Sequence, residues 1–166
     1  MRESSIHVIA NPLINITLQG RHDSYPKRRG MTRVPELLDA GINVAFGHDC
    51  VMDPWYSMGT HDMLEVANMG LHVGQMTSLK GMRSAFDAIT YNAAKVLGLE
   101  GYGIEPGCRA DLVILQAASP IEAIQLKANR LFVMKNGVVI ARSPVQQSYV
   151  SLNGEEQPVS FSKNLF

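Results

Sequence analysis

The residues best suited to chemistry in this chain lie close together. The stretch "FGHDCVMDPWY", Phe46 to Tyr56, sets a histidine, two aspartates, a cysteine and a tryptophan directly after an apolar run. His48, Asp49, Cys50 and Asp53 are of the types that hold divalent metals, and histidine and carboxylates also move protons near neutral pH. The same residues suit a second reading, a polar strand end where Asp49 and Asp53 accept hydrogen bonds from nearby backbone amides. Residue types alone leave both open.

The elements around the stretch decide how far its position matters. "SIHVIA" (Ser5 to Ala10) is short, apolar and partly β-branched, and Pro12 interrupts it, which predicts a buried strand. "LINITLQGRHDSYPKRRGM" reads as a long irregular loop. "TRVPELLDAG" predicts a helix with Thr32 as N-cap, Val34, Leu37 and Leu38 on one face, and Gly41 as its stop. "INVAFG" (Ile42 to Gly47) predicts a second buried strand. A strand, helix, strand order with apolar strands implies parallel pairing, and reactive groups in such sheets gather at the C-terminal strand ends. Both "ANP" and "GHDC" fall at such ends.

Helices are expected next: one that can start at Thr60, with Met63, Leu64, Ala67 and Leu71 at helical spacing, then short ones in "SAFDAI" and in "TYNAAKVLG", the last capped by Thr90 and ended by Gly98. Beyond Gly101 the pattern turns to β. "ADLVILQ" predicts a strand, "SPIEAIQLKA" a helix opened by a Ser119 and Glu122 capping box, and "RLFVMKNGVVIA" a hairpin turning at Asn136-Gly137. The expected division is 1–100, 101–145 and a polar, irregular tail over 146–166.

The 166 residues, 46% of them hydrophobic, suffice for a real core. Fifteen basic and 15 acidic residues balance, so no global field points to nucleic acid or an anionic membrane. Cys50 and Cys108 form no paired zinc or disulfide pattern, and the first residues lack a signal-peptide core, so a cytoplasmic protein with free thiols is expected.

Several motifs carry a resemblance. "ANPLINITLQGRHDSYPKRRG" and "GHDCVMDPWY" resemble bacterial cytosine deaminases of the amidohydrolase superfamily, and "TYNAAKVLGLEGYGIEPGCRADLVIL" with "NGVVIA" resembles that superfamily's closing segment. The resemblance covers about residues 5 to 142. It implies an α/β fold: the last two strand-helix units of a (β/α)8 barrel plus part of a small β domain. It implies one divalent metal, zinc or iron, and hydrolytic deamination of a nucleobase with release of ammonia. Asp49 is then implied as metal ligand and catalytic proton relay, and Trp55 as a wall of the substrate pocket.

Two departures qualify the resemblance. Cys50 stands where cytosine deaminases commonly carry a second aspartate, which implies a less acidic, roomier pocket and a 5-substituted cytosine such as 5-methylcytosine; plain cytosine remains the other reading. The superfamily's His-x-His pair is missing, since the five histidines are His7, His22, His48, His61 and His72. A barrel needs eight strand-helix units and typically about 250 residues. The chain is therefore expected to be a C-terminal fragment, incomplete as a metal site, whose partner is the missing N-terminal part or another copy. Another amino-heterocycle or cyclic amide as substrate, or a non-catalytic remnant, stays open.

The remaining candidates have plain readings. His7 is expected inside the first strand as a core or interface residue, His48 as a hydrogen-bonding support of the strand end, and His61 and His72 as ordinary polar positions. Arg21, Lys27, Arg28 and Arg29 read as a solvated loop, without the glycine-rich cradle or aromatics of a phosphate or RNA site. Cys108 reads as structural. The zinc signature of the other nucleobase-deaminase fold has no match.

Overall fold

The computed structural model describes residues 3–28 and 30–160. Arg29 of the basic loop and the final "SKNLF" lie outside the described residues.

Two short strands, β1 (Val8–Ala10) and β2 (Val44–Phe46), pair in parallel with Val8 opposite Val44 and Ala10 opposite Phe46. The ladder runs one bond further, from Gly47 N to the Ala10 carbonyl at 2.9 Å. β2 is buried along its whole length, as an apolar strand covered on both faces must be. His7 precedes β1 and is exposed, so it is neither within the strand nor in the core.

Between the strands lie α1 (Pro12–Leu18) and α2 (Val34–Asp39). The segment read as an irregular loop therefore begins as a helix, with Pro12 in its first turn and Leu13 and Ile14 buried. Thr17 Oγ1 donates to the Leu13 carbonyl at 2.8 Å, which satisfies a hydroxyl that would otherwise compete with the helix. The N-cap of α2 is Arg33 and makes no side-chain capping bond, which corrects the expectation for Thr32.

α3 (Met63–Val73), α4 (Leu79–Ala88) and α5 (Tyr91–Val96) follow. α3 starts after Asp62, whose carboxylate accepts from Leu64 N and Glu65 N, so Asp62 and not Thr60 sets its first turn. α4 starts earlier than expected, capped by Ser78. Thr90 precedes α5 but donates to the Phe86 carbonyl instead of capping it. Leu64, Val66, Ala67 and Leu71 bury α3 against β2, α1 and α4. Gly70 is where α3 meets Phe46: a Cβ there would lie 2.6 Å from the Phe46 ring.

A second sheet holds β3 (Leu112–Leu115), β4 (Arg130–Lys135) and β5 (Val138–Arg142) in antiparallel order, with α6 (Pro120–Leu126) between β3 and β4. Ser119 caps α6 through Glu122 N, and Asn136-Gly137 turns the β4–β5 hairpin with φ of 49° and 78°, both as the sequence predicts. The tail differs from its reading. Tyr149–Leu152 (β6) and Glu155–Pro158 (β7) form a hairpin about Asn153-Gly154.

One ion pair ties the sheet to the helices. Arg130 on β4 meets both Asp62 oxygens, with Nη1 3.0 Å from Oδ2 and Nη2 on Oδ1. Burial pushes the Asp62 carboxyl up, but the Arg130 hydrogen bond and charge outweigh it and hold it below the usual range. No helix among the described residues is long and apolar enough to cross a membrane.

Candidate active site

The two strand ends singled out by the sequence lie side by side. Parallel register puts Asn11, the residue after β1, opposite the start of the loop after β2, and Asn11 Nδ2 donates to Asp49 Oδ2 at 3.0 Å. Gly47 makes this approach possible, because a Cβ on it would lie 2.4 Å from Asn11 Oδ1. Asp49 is exposed and its backbone is left-handed, with φ of 67°. That conformation costs a non-glycine residue roughly 1–2 kcal/mol, and aspartate tolerates it better than most.

Cys50 sits against two carboxylates. Its Sγ donates to Asp49 Oδ1 at 3.5 Å, and hydrogen bonding to Asp53, then burial, then Asp49 push the thiol up to about 12. Cys50 is thus a protonated, weakly nucleophilic thiol at neutral pH. Asp53 organises the following turn: its Oδ1 accepts from Trp55 N and Tyr56 N, each at 2.9 Å, and these amide bonds hold its carboxyl below the usual range. The capping role read for Asp53 is therefore present.

Trp55 leaves the turn 62% exposed, and its carbonyl accepts from Arg21 Nη2 at 3.4 Å, linking the loop after α1 to the loop after β2. Apart from that Arg21 bond, the described basic side chains bond within their own loop. Lys27 Nζ donates to the carbonyls of Arg21 and Asp23, and Arg28 pairs with Asp23 at 2.7 Å. His48 is 9% exposed and its Nδ1 lies 2.9 Å from the Cys50 carbonyl, the supporting hydrogen bond expected of it. His72 Nδ1 bonds the Asn68 carbonyl of its own helix. Cys108 is a free, half-buried cysteine ahead of β3.

The residues present do not by themselves fit a divalent metal. Among the described residues no group of three or more His, Cys, Asp or Glu side chains could hold an ion. A catalytic zinc takes about three protein ligands. Asp49 offers one carboxylate, and His48 gives Nδ1 to the Cys50 carbonyl.

Asn11, Gly47 and Gly59 were not singled out by the residue types. Only strand register reveals Asn11, because it makes an asparagine before a proline the neighbour of an aspartate 38 positions away.

Parallel strands, helices against them and polar loops at the C-terminal strand ends define a mixed α/β protein with its candidate site where such folds place theirs. Residues 2–150 match the Amidohydrolase family, and the chain belongs to it. The structure is similar to 5-methylcytosine deaminase from Klebsiella pneumoniae liganded with phosphonocytosine, with a TM-score of 0.84 and 41% identity over 90% of this chain and 37% of that one. N-isopropylammelide isopropyl amidohydrolase of Pseudomonas sp. (strain ADP) is 39% identical over 113 residues, 68% of this chain and 28% of that protein. Pterin deaminase of Rhizobium rhizogenes (strain K84 / ATCC BAA-868) is 32% identical over 143 residues, 85% and 32% respectively. The chain thus spans between 28% and 37% of the length of these relatives.

Proposed function

We propose that this chain is the closing part of a hydrolytic deaminase acting on an amino-bearing nucleobase, with 5-substituted cytosine as the first candidate. The observation that carries the reading is the similarity to a 5-methylcytosine deaminase over 90% of the chain at 41% identity. In this reading residues 1–100 are the last two strand-helix units of a (β/α)8 barrel, 101–145 the closing β segment and 146–166 a polar tail. Asp49 is the carboxylate that ligates the metal, zinc or iron, and relays a proton. Trp55 is a pocket wall, where an exposed indole can pack on a flat base. Cys50 lies at the substrate edge, a small uncharged group beside Asp49.

The rest of the site comes from a polypeptide carrying the remaining strand-helix units. Ile6 and Ile9, 50% and 53% exposed at β1, together with Met52 and Met58 beyond β2, form apolar surface suited to being covered by it. The chain alone is then inactive.

Adding a polypeptide with the first six strand-helix units, together with zinc or iron, tests this by ammonia release. Release from 5-methylcytosine ahead of cytosine is expected from the mixture and none from either part. Turnover with tightly held metal by the chain alone overturns the incomplete site, a strong cytosine preference overturns the substrate, and silence on every base favours a non-catalytic remnant. The 39% identity to a hydrolase named for N-isopropylammelide supports a second reading, another amino-heterocycle as substrate, which the same assay decides.

A further inference from the structure

The left-handed backbone at Asp49 needs a cause, because such a conformation persists only where its surroundings hold it. Asn11 contacts the carboxylate and not the backbone. One side chain spans the residue on its main-chain side: His48, immediately before Asp49, bonds through Nδ1 to the carbonyl of Cys50, immediately after it. The bond closes a small ring whose corner is the Asp49 backbone.

Chemistry fixes the direction of this bond. A carbonyl oxygen only accepts, so Nδ1 carries the hydrogen and donates. Nε2 is buried without a partner among the described residues. The ring is seated by Gly59, where a Cβ would lie 2.5 Å from His48 Cε1 and 2.8 Å from Nε2. Gly59 also has φ of 95°, so two independent demands exclude a side chain there. Tyr56 meets the imidazole edge-on with ring centroids 6.2 Å apart, and His61 lies at the same distance, tilted by 41°. His48 is enclosed on the side that faces the protein, and its one polar contact points at the turn.

We infer that His48 is a positioning residue that locks Asp49 in its left-handed turn, through the Nδ1 bond to the Cys50 carbonyl and a seat provided by Gly59. Its meaning for catalysis rests on the role proposed for Asp49, whereas the lock itself is a property of this chain. The arrangement also explains why a histidine next to a candidate metal ligand does not join it: Nδ1 is spent on the Cys50 carbonyl and Nε2 is buried.

The test uses the 166-residue chain without metal or substrate, so that its outcome is separate from whether the family reading of Asp49 holds. In a chain with isotope-labelled histidine, long-range proton–nitrogen correlation spectra identify the tautomer. Hydrogen on Nδ1 of His48 is expected, and hydrogen on Nε2 alone overturns the lock. His48→Asn keeps an amide donor near the position of Nδ1, while His48→Phe fills the space without a donor. Amide exchange over residues 49–52 should rise about five-fold in His48→Phe, the factor that one net hydrogen bond represents, and return to within about two-fold of wild type in His48→Asn. Exchange in α3 and α4 should stay unchanged, which separates the effect from general loss of fold. Equal behaviour of the two variants over residues 49–52, or no change in either, overturns the inference. Should His48→Phe unfold the chain, the tautomer of the wild-type protein still decides it.

Discussion

Asn11 Nδ2 donates to Asp49 Oδ2 across the ends of two adjacent parallel strands, and Gly47 is the residue whose missing side chain lets them meet. The amide holds one carboxylate oxygen and leaves Oδ1 beside the Cys50 thiol. A fixed carboxylate at a strand end is what the proposed role of Asp49 requires.

Gly47→Ala should destabilise the chain by about 1–3 kcal/mol, since its Cβ would fall 2.4 Å from Asn11 Oδ1 and 3.1 Å from Ile9 Cγ2. Asn11→Ala alone removes an exposed hydrogen bond and should cost about 1 kcal/mol or less. In the double variant the Gly47 cost should shrink, because the group it strikes is gone. Urea denaturation of the four proteins measures the coupling, and strict additivity would count against a direct contact.

Asp62→Ala removes at once the cap of α3 and the partner of Arg130. The expected loss is about 2–4 kcal/mol, because a half-buried guanidinium is left without its carboxylate. The folded-state pKa of Asp62 is lowered, so its contribution is full above the unfolded value near pH 4 and fades as pH falls through the folded one. Wild type and Asp62→Ala should therefore converge in stability below about pH 4 and differ most at neutral pH.

Cys50 should resist alkylation at pH 8 in the folded chain and react once the chain is unfolded. Its thiol is pushed up to about 12, chiefly by Asp53. Asp53→Asn removes that charge and should speed Cys50 alkylation by about ten-fold or more, read by mass spectrometry of the modified peptide. An unchanged rate would move the cause elsewhere.

Gly70→Ala should destabilise the contact of α3 with β2 by about 1–3 kcal/mol, although alanine favours a helix, because its Cβ would lie 2.6 Å from the Phe46 ring. Gly70→Ala combined with Phe46→Leu should recover part of the loss in thermal melts.

Periodicity and turn chemistry carried much of the fold. The apolar runs before Asn11 and Asp49 read as strands; burial along the whole length accounts for the second, whereas the first, read as buried, has Ile9 53% exposed. Asn136-Gly137 read as a hairpin because both residues tolerate positive φ. α1 stayed hidden for a physical reason. Its stretch "NITL" is β-branched in part, and Asn11, the residue placed to cap it, gives its side chain to Asp49 and makes no capping bond. The β6–β7 hairpin was missed although Asn153-Gly154 carries the same turn signal as Asn136-Gly137, because Glu155–Pro158 gives no apolar run beyond the turn.

The sequence by itself determined which residue types stand at the strand ends, and their motifs determined the resemblance that the family match bears out. It also favoured a supporting hydrogen bond for His48 over metal binding, and the structure shows that bond. Only tertiary structure decided that Asn11 belongs with Asp49, that Asp53 governs the Cys50 thiol, and that Gly47 and Gly59 are spaces and not merely flexible points. Those relations depend on strand register, which brings together residues 38 positions apart, and on close approach across a turn. A linear pattern does not encode such distances; packing sets them.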